Sequence, residues 1–116
     1  MTKLYKEITH DLSSSIAKLR KEIPDVMSGF SALAHAATKE GALDKKTKEL
    51  IALAIGIASH CDGCIGFHVQ TLIKLGMTRQ ELIEMLGMTV YMGGGPSLMY
   101  AADALRAFEE FSAQTM

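Results

Sequence analysis

Aromatic residues make up only 6% of this 116-residue chain, there are just two cysteines and two prolines, and neither sign of charge dominates. Each scarcity closes off a class. Twelve lysines and arginines stand against 13 aspartates and glutamates, for a formal net charge of −1, and no basic stripe marks a nucleic-acid footprint. The longest run free of polar residues, Leu50 to Ala58, is nine residues, well short of the about 20 that span a bilayer as a helix. The opening MTKLYKEITHDL is too charged for a secretion signal. A cytoplasmic protein is therefore expected, with no nucleic-acid or membrane partner. In a reducing compartment two cysteines read as a redox pair or as metal ligands rather than as a structural staple.

What is present is aliphatic. Hydrophobic residues are 48% of the chain, mostly Ala, Leu, Ile and Met, and the mean hydropathy is +0.16. Such residues suit closely packed helices. They also exceed what one small core hides, so an oligomer is expected. Apolar spacing near 3.6 predicts a single all-α domain of six helices over residues 1–116. The first helix spans Lys3 to Lys21, and Pro24 separates it from a second over Asp25 to Thr38. Asp44 is a candidate N-cap for the third, whose stretch Leu50 to Ala58 is apolar all round and should be buried. A fourth runs from Asp62 to Leu75 and is closed by Gly76. Thr78 and Glu81 form a capping box for a fifth. Gly93-Gly94-Gly95 predicts a turn, with Pro96 in the first turn of a sixth helix ending near Ser112. His10 reads as a surface residue, and His35 as core or interface.

Cys61-Asp62-Gly63-Cys64 is the feature that folding explains least. Cysteines three apart at a helix start share a face, close enough to form a disulfide with little backbone movement. The unpaired N–H groups and positive dipole end of the helix favour the thiolate, which is the nucleophilic form. His68 continues the same stripe, four residues after Cys64, and can take a thiol proton directly or through a water. Glu49 begins the buried apolar run, where a carboxylate needs a partner, and it is the candidate second member of a proton relay. The twelve residues from Glu49 to Cys61 would be about 18 Å of straight helix. A Glu49–His68 contact therefore demands that the third and fourth helices fold back on each other near His60. Zinc wants four ligands, and Cys61, Cys64 and His68 span about two turns, so neither a metal nor another cofactor is expected.

Glu49, then Cys61, Cys64 and His68, resembles the E…CxxCxxxH motif of the alkyl hydroperoxidase D-like proteins of the carboxymuconolactone decarboxylase superfamily. The stretches GALDKKTKELIALAIGIA, LGMTRQELIEML and YMGGGPSLMYAADAL are similar to that family too, so the resemblance covers about residues 24–111. It implies an all-α fold assembled as a homotrimer or homohexamer. It also implies reduction of hydroperoxides or disulfides by Cys61 and Cys64, with Glu49 and His68 relaying protons. The reductant would be a dithiol partner such as a lipoylated or thioredoxin-like protein. One position departs from the pattern: Gly63 stands where the characterised members carry a second histidine. Two other functions compete with the thiol oxidoreductase. One is the lactone-decarboxylating lyase that names the superfamily, and the other is a non-enzymatic, redox-sensing oligomer.

Overall fold

A computed structural model describes residues 2–115, and all regular structure among them is helical. The elements are α1 (Tyr5–Glu22), α2 (Pro24–Thr38), α3 (Lys45–Ala58), α4 (Asp62–Lys74) and α5 (Arg79–Thr115). Five elements thus stand where six are expected. Within α5 only Gly94 leaves helical angles, at φ 69° and ψ −152°, so the chain changes direction there and resumes as helix at once. Glycine takes this conformation without a Cβ penalty. Pro96, two residues on, falls in the first turn of the resumed helix, where its missing N–H leaves no bond unmade.

Local chemistry sets the other helix ends. The Thr47 N–H donates to Asp44 Oδ1 at 2.7 Å, capping α3. The Glu81 N–H donates to Thr78 Oγ1 at 3.1 Å, and the Thr78 N–H to Glu81 Oε1 at 2.8 Å, a reciprocal capping box for α5. At the end of α4, Gly76 has φ 83°. Its N–H bonds to the Ile73 carbonyl and that of Met77 to the Leu72 carbonyl, a Schellman motif.

Helices α3, α4 and α5 pack on one another, with α1 laid across α4. Leu53, Ile57, Ile65, Val69, Leu72 and Leu82 are wholly buried between them, each burial stabilising by about 1.5–3 kcal/mol before entropy is counted. Helix α2 differs. It buries no residue at all, and Val26, Phe30 and Leu33 are each 64 or 65% exposed. The expectation that α3 is buried on every side also needs correction. Leu53, Gly56 and Ile57 are buried, but Ile51 and Ile55 are 46 and 61% exposed, because the described residues leave that side of the helix open. His10 and His35 are both exposed. Among the described residues, no helix is long and apolar enough to cross a membrane.

Candidate functional site

The corner between α3 and α4 is built so that one residue serves both helices. His60 has φ 57°, a left-handed conformation that costs an L-residue energy but that histidine visits more often than most. Its N–H bonds to the Ile57 carbonyl, and the Cys61 N–H to the Gly56 carbonyl at 2.9 Å. That is a Schellman ending for α3 with His60 in the place usually held by glycine. Cys61 is at the same time the N-cap of α4, its Sγ accepting from the Cys64 N–H at 3.1 Å. The two helices therefore meet back to back at Cys61.

Cys61 and Cys64 are joined by a disulfide, their Cα atoms 5.2 Å apart, and both are half-buried. Gly56 makes the approach possible. A Cβ at that position would lie 2.9 Å from the Cβ of Cys64, so any side chain there would force α3 and α4 apart. The fold-back brings the other two residues singled out by spacing into contact: His68 Nδ1 lies 2.6 Å from Glu49 Oε2. Glu49 is only 6% exposed, whereas about a third of the His68 side chain reaches solvent. With Glu49 as a carboxylate, which can only accept, the ring nitrogen facing it carries the proton and Nε2 keeps a lone pair. The buried carboxylate orients the ring and would balance the charge of its protonated form.

A second cluster, which residue spacing does not announce, surrounds Asp62. Its Oδ1 accepts from the Tyr5 hydroxyl at 2.8 Å and from the Lys3 ammonium at 3.0 Å. Lys3 also bonds to Asp103 Oδ2 at 2.8 Å and sits 4.7 Å from the centroid of the Tyr100 ring, on which His60 stacks at 4.6 Å. Burial pushes the Tyr5 phenol far above its ordinary value, and its bond to Asp62 adds to that. Burial alone would pull the Lys3 ammonium down. Its hydrogen bonds to Asp103 and Asp62 together outweigh that and hold it above the usual lysine value. These partners lie 57 to 100 residues apart along the chain. The only local signal is the acidic residue set between the two cysteines.

Ala54, Ile55, Ala58, Met88, Thr89, Met92 and Gly93 line an apolar groove of about 300 Å³. Its α3 residues lie on the side of the helix opposite Gly56, so it is not part of the thiol site. No group of three or more His, Cys, Asp or Glu among the described residues could hold a metal ion.

The profile of the carboxymuconolactone decarboxylase family matches residues 24–107. The chain belongs to that family. A family member from Legionella pneumophila, whose crystal structure is known in the apo form, is similar at 68% identity and a TM-score of 0.91. That match covers 93% of this chain and 96% of that one. A family member from Thermotoga maritima, described as a candidate for the antioxidative response, is 26% identical with a TM-score of 0.73, covering 87 and 92% of the two chains. An uncharacterised Cupriavidus necator protein is 35% identical over 113 residues, covering 91% of this chain and all of that one. All of α1, with Tyr5 and Leu12, and Lys3 ahead of it lie before the segment that the family profile matches. Leu12 covers the position at which the sequence departs from the histidine-bearing pattern: a Cβ on Gly63 would lie 2.6 Å from Leu12 Cδ1.

Proposed function

We propose that this family member is a thiol-dependent oxidoreductase that reduces hydroperoxides or disulfides through Cys61 and Cys64. The observation that carries the reading is the cysteine pair bonded across the first turn of α4, with His68 one turn further along that helix and bonded to Glu49 of α3. With a hydroperoxide, the thiolate at the helix N-cap, Cys61, attacks the terminal peroxide oxygen. The O–O bond breaks, the sulfur keeps one oxygen as sulfenic acid, and the alkoxide leaves as an alcohol with a proton supplied by His68. The Cys64 thiol then attacks the sulfenic sulfur, water leaves, and the disulfide forms. A dithiol partner restores both thiols by exchange through a mixed disulfide, becoming oxidised itself. Glu49 holds the imidazole and balances its charge when protonated.

The test is a thiol titration of the reduced protein before and after one equivalent of an organic hydroperoxide. Loss of two thiols per chain, recovered with a dithiol, is the expected result, and Cys61→Ser or Cys64→Ser should abolish turnover. Glu49→Gln and His68→Gln should each lower the rate by about 10²-fold or more while leaving both thiols titratable. Two thiols that survive the oxidant unchanged would sink the peroxidase reading. Carboxymuconolactone turnover that persists in both serine variants would put the lyase in its place.

The same reading includes a homo-oligomer. A 15-residue helix that buries nothing is at best marginal in water by itself, so the apolar face of α2 needs a cover. The exposed Ile55, Met88, Met92 and Met99 extend that need to α3 and α5. A further copy of the chain is the proposed occupant, in the trimer or hexamer that the family resemblance implies. A monomeric mass in solution would exclude it.

A further inference from the structure

The Asp62 carboxylate sits inside the cysteine motif, at the first residue of α4. Left alone its negative charge would oppose a thiolate at Cys61, its neighbour in the chain, since like charges repel. It is not left alone. The Tyr5 hydroxyl and the Lys3 ammonium converge on the same oxygen, Oδ1, at 2.8 and 3.0 Å. Both donors are themselves held in place. Glu110 on α5 accepts from the N–H groups of Tyr5 and Lys6 at 2.8 and 2.9 Å, and Tyr5 is wholly buried. Lys3 is tied a second time to Asp103, and Asp103 in turn has Arg106 at 3.4 Å. Thr9 and Leu12 of α1 press against Gly66 and Gly63, where a Cβ would meet Thr9 Cγ2 at 2.5 Å and Leu12 Cδ1 at 2.6 Å. The start of the chain is therefore a fitted cover on the redox turn.

We propose that Lys3, Tyr5 and Asp62 are positioning residues for the cysteine pair: the ammonium and the hydroxyl hold the Asp62 carboxylate toward α1 and offset its charge, and so set how easily the disulfide is reduced. The proposal rests on the reading that Cys61 and Cys64 interconvert between dithiol and disulfide, and not on the identity of any substrate. The physical basis is the asymmetry between the two redox states. Reduction creates a group that can ionise beside Asp62 and Lys3, while the disulfide carries no charge. Whatever stabilises the thiolate stabilises the reduced form and makes the disulfide more oxidising. Lys3 therefore favours reduction and Asp62 opposes it, and two of the three residues that balance the site lie outside the segment that the family profile matches.

The experiment is the thiol–disulfide equilibrium of the full chain in glutathione buffers at pH 7, read by alkylating the free thiols. Lys3→Gln should move the equilibrium toward the disulfide by about three- to tenfold, and Lys3→Glu further in the same direction. Asp62→Asn should move it toward the dithiol by a similar factor, and the Lys3→Gln/Asp62→Asn double variant should return to within about twofold of the parent. Tyr5→Phe, which changes no charge, should shift it the same way as Lys3→Gln but less. A purely structural role predicts something else, because loosening the cover from either side would move both single variants in one direction. Single variants that shift together, or by less than about twofold, overturn the proposal while the parent still exchanges with glutathione. A parent whose cysteines never equilibrate with glutathione overturns the underlying dithiol–disulfide reading, and the proposal with it. Lys3 is partly exposed and precedes α1, so its variants keep the core intact.

Discussion

Helices α2 and α4 are nearly the same length, 15 and 13 residues, yet one is as exposed as the other is enclosed. In α4, Ile65, Gly66, Val69 and Leu72 are buried, and neighbours approach from α1, α3 and α5. In α2 nothing is buried, although Val26, Phe30 and Leu33 are as apolar as anything in the core. Apolar content alone does not say where a helix is buried; it says only that something must cover it. The cover of α4 is the chain itself, which gives the cysteines and His68 a rigid frame. The cover proposed for α2 is another copy of the chain.

That contrast can be broken most sharply by truncating one side chain in each helix. Leu72→Ala should destabilise the protein by about 2–5 kcal/mol, read from chemical denaturation, because it opens a cavity in a closed core. Phe30→Ala should change the stability of an isolated subunit by less than about 0.5 kcal/mol but weaken assembly, seen as a fall in mass on dilution. If both cost the same in a monomer, α2 is held by contacts within the chain and the comparison fails. Gly56→Ala comes next. It pushes α3 from α4 at the Cys64 Cβ, and a cost of about 1–3 kcal/mol is expected from overpacking, with a slower disulfide closure in the same variant. At the corner, His60→Gly should be more stable than His60→Ala by about 1 kcal/mol. Both lose the stack on Tyr100, and only alanine retains the left-handed penalty at φ 57°.

The smallest effect concerns pH. The hydrogen bonds from Thr47 hold the Asp44 carboxyl below its ordinary value. A carboxyl lowered by folding contributes stability that is present above its unfolded value, about pH 4, and is lost as the pH falls through the folded one. Asp44→Asn keeps a competent cap without the titration. Its melting temperature should therefore fall less steeply than the parent's when the pH is taken from 5 to 3.

Much of the candidate site is legible in the sequence because it is helical and local. Cys61, Cys64 and His68 share one stripe by counting alone, and Glu49 joins them once α3 and α4 are folded back at His60. The caps at Asp44 and Thr78 are equally local. The glycine-rich segment is read less well. Three glycines before a proline suggest a break between two helices, but only Gly94 leaves helical angles, since glycine permits a turn without requiring one. Ile51 and Ile55 mislead for a different reason: an unbroken apolar run carries no periodicity to mark which side of the helix faces the core. Lys3 and Tyr5 could not be connected to Asp62 by any spacing rule, because their approach depends on how α1 is docked on α4 and tied to Glu110.

The three-residue corner from Ser59 to Cys61 has a further consequence, because it leaves no slack between Glu49 and His68. From one to the other the chain is helix, a fixed turn, then helix, so the interval acts as a ruler. One residue added or removed within 50–58 or 62–67 would swing one partner by about 100° around its helix axis. At the corner itself, a change in length would separate the amide that ends α3 from the sulfur that begins α4. Side chains along this stretch can vary wherever they face outward, but its length is constrained by the chemistry at its two ends.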